Sequence, residues 1–191
     1  MALKASGNIG ELSYPFIFED SPLCDFEILT DELCTYTGLA LSQVTNQEVR
    51  ESLERLQPKI FHLNGSIRGK CGIFEQDVQE LVSEMFYFKE QVHDKGKRFV
   101  LPRGIGPVIQ LHQCRSLSKK VVRALVLIDK LTNKTIPETL PRFANALANY
   151  YFVLTRVLNQ DMNIDEPEYT SINYPKPEWI ECYVNTSLSE L

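Results

Sequence analysis

The sequence predicts an all-α protein: a five-helix up-and-down bundle of one domain spanning residues 1–191, with a core bundle over about 25–159, an irregular N-terminal arm and a C-terminal tail. Three observations predict it. Five segments repeat apolar residues at spacings of three and four, which lays one apolar stripe along a helix. Helix-start residues precede two of them. The connections are short, which makes successive helices antiparallel neighbours.

Residues 1–23 carry glycine, proline and aromatic residues without helical period and read as an arm. The first stripe is Phe26, Leu29, Leu33, Tyr36, Ala40. The second is Val49, Leu53, Leu56, Ile60, Leu63, Ile67. Thr45-Asn46-Gln47-Glu48 ahead of it fits a capping box. Pro58 inside it predicts a kink or a split, and the glycines at 65, 69 and 72 mark its end. The third stripe is Val78, Leu81, Met85, Phe88, Val92. Residues 95–107, KGKRFVLPRGIGP, then form a loop with Phe99-Val100-Leu101 as an extended apolar plug. The fourth stripe is Leu111, Cys114, Val121, Leu125, Ile128, interrupted by Ser118. Thr135-Ile136-Pro137-Glu138 fits a second capping box, with Pro137 suited to a first helical turn. The fifth stripe is Leu140, Phe143, Leu147, Tyr150, Leu154, Val157. Beyond Asn159 the period decays, and Tyr174-Pro175-Lys176-Pro177 with Trp179 predicts an extended tail lying on the body or ordered by a neighbour.

Composition narrows the function classes. The net charge is -5, without the basic excess of a nucleic-acid binder. No apolar run reaches the ~20 residues that span a bilayer, and MALKASGNIGEL lacks an apolar segment of signal-peptide length. A cytoplasmic protein is expected. Five widely spaced cysteines without a C-x-x-C pair predict reduced, mostly buried thiols.

The fourth stripe is two-sided. At about 100° per residue, His112, Arg115, Lys119 and Arg123 share an arc of roughly 80° opposite the apolar positions. Cations at i, i+4 and i+8 repel by about 0.2–0.5 kcal/mol per neighbouring pair. An anion offsets this best, either a polyphosphate or an acid from another helix; the plainer alternative is a solvated face with surface salt bridges. Asp31 and Glu32, beside the apolar positions of the first stripe, are the candidate acids. Other chemistries lack their residues. A di-iron bundle needs two Glu-x-x-His motifs, and the chain has one, Glu90 to His93. Neither a G-x-S-x-G elbow nor a P-loop occurs.

Three stretches carry a resemblance. RFVLPRGIGPVIQLHQCRSLSKKVVR (98–123) is similar to a Phe-x-Leu-Pro-Gly-Gly loop followed by a helix with His-x-x-Arg, Arg-Arg and Glu-Arg. TDELCTYTGLA (30–40) is similar to an Asp-Glu-Leu-Asn-x-x-x-Gly helix, and FANALANYYFVLTRVLN (143–159) to a helix opening Asn-Arg-Leu-Ser-Asp with a later Arg and Asn. Together, and in this order, they resemble the PduO-type ATP:cob(I)alamin adenosyltransferases over most of residues 6–159.

That resemblance implies a homotrimer with sites between subunits, and ATP, Mg²⁺ and cobalamin as the small molecules handled. It implies that Phe99 displaces the lower axial ligand of cob(II)alamin, with His112 also on the corrinoid side. One-electron reduction then gives Co(I), which attacks C5′ of ATP as triphosphate leaves. Arg115 would pair across subunits with Asp31. Lys119, Arg123 and Asn145 would meet the nucleotide, together with the loop at Gly7, Asn8 and Gly10. The protein itself would supply no metal site. Departures from the family pattern are concentrated at the nucleotide. The family loop Thr-Gly-Asp-x-Gly-x-Thr stands here as Ser6-Gly7-Asn8-Ile9-Gly10-Glu11-Leu12. Lys119 replaces an arginine, Val122 a glutamate, Ala146 an arginine and Arg103 the first glycine of the Leu-Pro-Gly-Gly loop. Three readings stand at this point: an adenosyltransferase with an atypical ATP loop, a non-catalytic corrinoid- or nucleotide-binding carrier, sensor or partner subunit, and a bundle with another ligand.

Overall fold

Each predicted stripe folds as one helix in the computed structural model, which describes residues 4–173. The helices are α1 (Pro22–Leu41), α2 (Gln47–Ser66), α3 (Glu75–Gln91), α4 (Pro107–Leu131) and α5 (Thr139–Asp161), preceded by a 3-10 turn at Ile9–Glu11. The start of α1 lies inside the segment expected to be irregular. Ser21 caps it by accepting from the Leu23 N–H at 3.2 Å, and Pro22 occupies the first turn.

The caps differ from expectation at two places. Asn46, not Thr45, caps α2, its Oδ1 accepting from the Val49 N–H at 3.0 Å. The amide oxygen of asparagine reaches the third helical N–H from an extended backbone. Thr135 to Pro137 lie in the connection before α5, whose start is set by tertiary contacts instead. The Thr139 hydroxyl donates to the Ile73 carbonyl at 2.8 Å, and Arg142 pairs with both oxygens of Glu75 at 2.6 and 2.8 Å. Pro58 does not split α2, which runs through it as one helix. Ser118, which interrupts the α4 stripe, is buried with its hydroxyl donating back to the Cys114 carbonyl at 2.8 Å.

Helix α4 packs on α1 and α5, α1 on α2, and α3 on α5. The chain neighbours α2 and α3 meet through long side chains instead: Lys59 pairs with Asp77, Arg55 with Glu84, and Tyr87 and Gln91 donate to Glu48. The core between them holds Phe26, Leu33, Leu53, Leu111, Phe143, Tyr150 and Tyr151. Its polar atoms are matched: Thr37 Oγ1 and Tyr151 OH lie 2.8 Å apart, and Ser52 pairs with Tyr150. Cys24, Cys34 and Cys114 are buried free thiols and Cys71 is half-buried. Burial pushes the Cys114 thiol up to about 12, so it stays protonated. Cys182 lies outside the described residues, as do Tyr174-Pro175-Lys176-Pro177 and Trp179 of the expected tail.

The arm at residues 16–19 and the chain just after α5 are both tied to the bundle. Arg68 pairs with Glu19 and Glu27 and lies 3.9 Å from the ring centre of Phe16, which holds the arm on α1 and α2. After α5, the Ile164 N–H donates to the Asn159 carbonyl at 2.8 Å and turns the chain back along the bundle. The Thr37–Tyr151 bond joins α1 to α5 inside the core. Tyr151→Phe is therefore expected to cost about 1 kcal/mol in urea unfolding, the net worth of one hydrogen bond whose other partner keeps a second acceptor; Thr37 still donates to Leu33.

Candidate functional site

The outer face of α4 carries the cations. Arg115 is half-buried, with its guanidinium carbon 5.3 Å from the ring centre of Phe152 on α5. Its Nε is buried without a hydrogen-bond partner, and burial pulls its pKa down. Lys119 and Arg123 are exposed one and two turns further along, roughly 6 and 12 Å at a rise of about 1.5 Å per residue. Among the described residues no acid pairs with Arg115, Lys119 or Arg123; the ion pairs use Arg55, Lys59, Arg68, Lys95, Arg98, Arg142 and Arg156. The face is not laced with surface salt bridges.

His112 does not belong to the exposed cationic row with which it shares an arc. It is 8% exposed, and burial, then the nearby Arg115 charge, lowers its pKa to about 4. The ring is therefore neutral at physiological pH. Its Nε2 lies 3.4 Å from the Arg103 carbonyl, and Nδ1 is buried without a partner.

That carbonyl is the anchor of the loop before α4. It also accepts from Asn159 Nδ2 at 2.8 Å. Gly104 follows at φ 151°, where an added Cβ would lie 2.3 Å from Val108 Cγ1 and 2.8 Å from Asn159 Oδ1. Glycine is thus required at 104. Position 103 has no such demand, since its φ is not positive and its side chain is exposed, so Arg103 is accommodated. The expected plug is smaller than the three residues Phe99-Val100-Leu101. Val100 alone is buried, while Phe99 is 66% and Leu101 37% exposed. Alternation along extended backbone sends neighbouring side chains to opposite faces.

The far side of this loop is held by residues 164–169. Val100 and Glu168 form an antiparallel bridge, the Leu101 N–H donates to the Pro167 carbonyl at 2.9 Å, and the Tyr169 N–H donates to the Phe99 carbonyl at 2.8 Å. Beneath, Arg156 is 3% exposed and pairs with Glu166 and, at 3.0 Å, with Asp94. Asp94 also accepts from Arg98 and the Gly96 N–H; these bonds outweigh its burial and hold its carboxyl down at about 2. A cavity of about 270 Å³ opens over Asp94, Arg98, Arg156, Gln160 and Glu166. Asp94 and Glu166 escaped the sequence reading, which met Arg156 and Asn159 only as the later Arg and Asn of the last helix and gave them no partner. The available signal was Arg156 itself, a charge inside an apolar run from Val153 to Leu158.

The N-terminal loop closes on its own acid. Gly7 has φ 86°, and Asn8 Oδ1 accepts from the Gly10 N–H at 3.0 Å. The Glu11 carboxylate accepts from Ser6 and, at 3.0 Å, from Asn8 Nδ2, which lowers its pKa. A hollow of about 260 Å³ lies beside them, lined by Lys4, Ser6, Asn8, Glu11 and Phe18 among others. Among the described residues no hydrogen bond, ion pair or ring contact joins residues 4–12 to α4. Asp31 is exposed on α1 and makes no ion pair there either. Asn145 is exposed on α5, seven residues before Phe152, which places it near the level of Arg123. One chain therefore brings His112 to the Arg103 carbonyl of the loop that carries Phe99 and Arg115 to Phe152, and among the described residues no hydrogen bond or ion pair joins Asp31 or the glycine loop to them.

The neutral state of His112 has a pH consequence. The unfolded imidazole takes up a proton near 6.5 and the folded one only near 4. The unfolded chain thus binds more protons in that window, and His112 contributes stability above pH 6.5 that is lost as the pH falls toward 4. Urea unfolding at pH 7 and pH 4.5 should show this loss, on the order of 2–3 kcal/mol. His112→Gln should remove most of it.

Comparison with known proteins places the chain. The family described as Cobalamin adenosyltransferase matches residues 18–158. The Cobalamin adenosyltransferase of Cupriavidus metallidurans is 31% identical over 133 residues, covering 68% of this chain and 71% of that protein. The Corrinoid adenosyltransferase of Bacillus subtilis is 28% identical over 148 residues, covering 73% and 75%. A variant of the PduO-type ATP:corrinoid adenosyltransferase of Lactobacillus reuteri, complexed with cobalamin and ATP, superposes with a TM-score of 0.73 over 81% of this chain and 90% of that one, at 21% identity. That likeness establishes the fold, and the sequence matches establish the kinship: the chain belongs to the cobalamin adenosyltransferase family.

Proposed function

We propose that this chain is a corrinoid adenosyltransferase that moves the 5′-deoxyadenosyl group of ATP to cob(I)alamin and releases triphosphate. The observation that carries the reading is the row Arg115, Lys119, Arg123, which has no acid partner among the described residues and begins one turn after His112, the residue that meets the Arg103 carbonyl of the loop. Uncompensated cations at fixed spacing stabilise a departing polyphosphate because they need no reorganisation when charge develops. Relatives named as corrinoid and cobalamin adenosyltransferases support the same assignment and disfavour the non-catalytic reading.

The balance of the step is simple. An external one-electron donor takes cob(II)alamin to Co(I). The cobalt electron pair forms the bond to C5′, the C5′–O bond breaks, and triphosphate leaves with that electron pair. Phe99 acts on the lower face of the corrinoid, where its exposed ring is available to displace the axial ligand, and neutral His112 supports the loop behind it. Lys119, Arg123 and Asn145 meet the nucleotide from α4 and α5. Gly7, Asn8 and Gly10 contribute backbone and amide donors, once Glu11 yields its place to phosphate. Mg²⁺ would enter with the triphosphate of ATP and neutralise part of its charge.

The separation of Asp31 from Arg115 within one chain favours a site completed by another copy, and a homotrimer is the assembly we propose. Exposed apolar residues Ile28 and Leu39 flank Asp31 on α1. Among the described residues no helix is long and apolar enough to cross a membrane, and we take the protein to act in the cytoplasm, where ATP is supplied.

The test is product formation from ATP, Mg²⁺ and chemically reduced cobalamin. Adenosylcobalamin and triphosphate in equal amounts are expected; corrinoid binding without either product would overturn the assignment. Arg123→Ala should lower kcat/KM for ATP about 10- to 100-fold, the loss of one charge-assisted contact. Lys119→Arg should keep or raise it, since arginine adds a second parallel donor to phosphate.

A further inference from the structure

We infer that residues 164–169 form a strap that sets the position of Phe99, and that Tyr169 is its positioning residue for the reaction. The inference rests on the reading of Phe99 given above.

Phe99 stands on a loop that cannot hold it unaided. Its side chain is 66% exposed, and while Val100 beside it is buried, the side chains of Arg98 and Leu101 are exposed like its own. The contacts that restrain it come from beyond α5. Tyr169 places its ring 5.6 Å from that of Phe99 at an interplanar angle of 54°, and its N–H donates to the Phe99 carbonyl at 2.8 Å. One residue thus restrains both the backbone and the ring of Phe99. The Val100–Glu168 bridge and the Leu101–Pro167 hydrogen bond extend the same pairing. The strap is in turn pinned where Glu166, 5% exposed, meets Arg156 on α5. Arg156 also holds Asp94, at the other end of the loop that carries Phe99. The loop and the strap therefore share one buried cation.

Tyr169 keeps 40% of its surface in solvent. Its hydroxyl makes no hydrogen bond within the described residues. The ring therefore presents an aromatic edge beside Phe99 without spending itself on the core. A ring that must displace a metal ligand has to be held against the approaching macrocycle, and a second ring at its side limits its escape. Displacements of about 1 Å at such a position cost up to ~100-fold in rate.

The test uses full-length protein loaded with ATP, then cob(II)alamin, followed by visible and electron paramagnetic resonance spectra. Wild type should show a four-coordinate cob(II)alamin fraction. Tyr169→Ala should lose most of it and lower kcat about 10- to 100-fold, with the KM for ATP unchanged. Tyr169→Phe, which keeps the ring, should restore both. With a corrinoid that lacks a tethered lower base the ligand to displace is a weakly held water, and Tyr169→Ala should lose far less of the four-coordinate fraction and of kcat than it does with cobalamin. A merely structural role would not produce that rescue. If Tyr169→Ala keeps the four-coordinate fraction while Phe99→Ala loses it, the strap proposal is wrong and the role of Phe99 stands. If Phe99→Ala keeps it as well, the role of Phe99 is wrong and the strap proposal falls with it.

Discussion

Helix α4 carries a core face and an unpaired basic face at once, and this divides it lengthwise. Leu111, Cys114, Leu117, Val121, Leu125 and Ile128 are buried against α1 and α5. With that face committed, 3.6-residue periodicity turns Lys119 and Arg123 outward. Their mutual repulsion is modest beside the apolar burial of α4, which contributes about 1.5–3 kcal/mol for each large side chain. The core therefore outweighs the strain of an unpaired basic row. The fold can keep cations ready for a ligand because it does not depend on them.

A second constraint governs the loop that carries Phe99. Arg156 is buried between Glu166 and Asp94, and removing one partner of such a pair costs about 3–5 kcal/mol. The Phe99 loop and the chain after α5 are consequently one mechanical unit. Asn159 adds a clamp on the Arg103 carbonyl, and Gly104 permits the close approach. The loop is rigid at its base and open at Phe99, the combination expected of a surface that presses on a ligand.

Much of this was legible in the residues. Five apolar stripes announced five helices because burial sets their period. The cation row on α4 was visible for the same reason, and the Phe-Leu-Pro loop beside it gave the family. Other features were hidden because they depend on contacts distant in sequence. Thr135 looked like a cap, but Thr139 and Arg142 reach Ile73 and Glu75 and start α5 later. His112 looked like a member of the cation row, but the returning loop covers it. Arg156, Glu166 and Asp94 form one cluster only after the chain doubles back beyond α5. The N-terminal loop was readable as a departure from the family pattern, while its closure by Glu11 was not, because short polar loops choose among local hydrogen bonds that spacing does not rank.

The central claim is that one chain carries an incomplete site, with Arg115 facing a place that its own Asp31 does not reach. Subunit mixing tests it most directly. Asp31→Ala and Arg115→Ala proteins, each inactive alone, are unfolded together, refolded as mixed oligomers, and assayed for adenosylcobalamin formation. Recovery of a substantial part of wild-type activity is predicted, since some interfaces then hold an intact Asp31 from one chain and an intact Arg115 from the other. Mixed oligomers that remain as inactive as the separate variants would contradict the account.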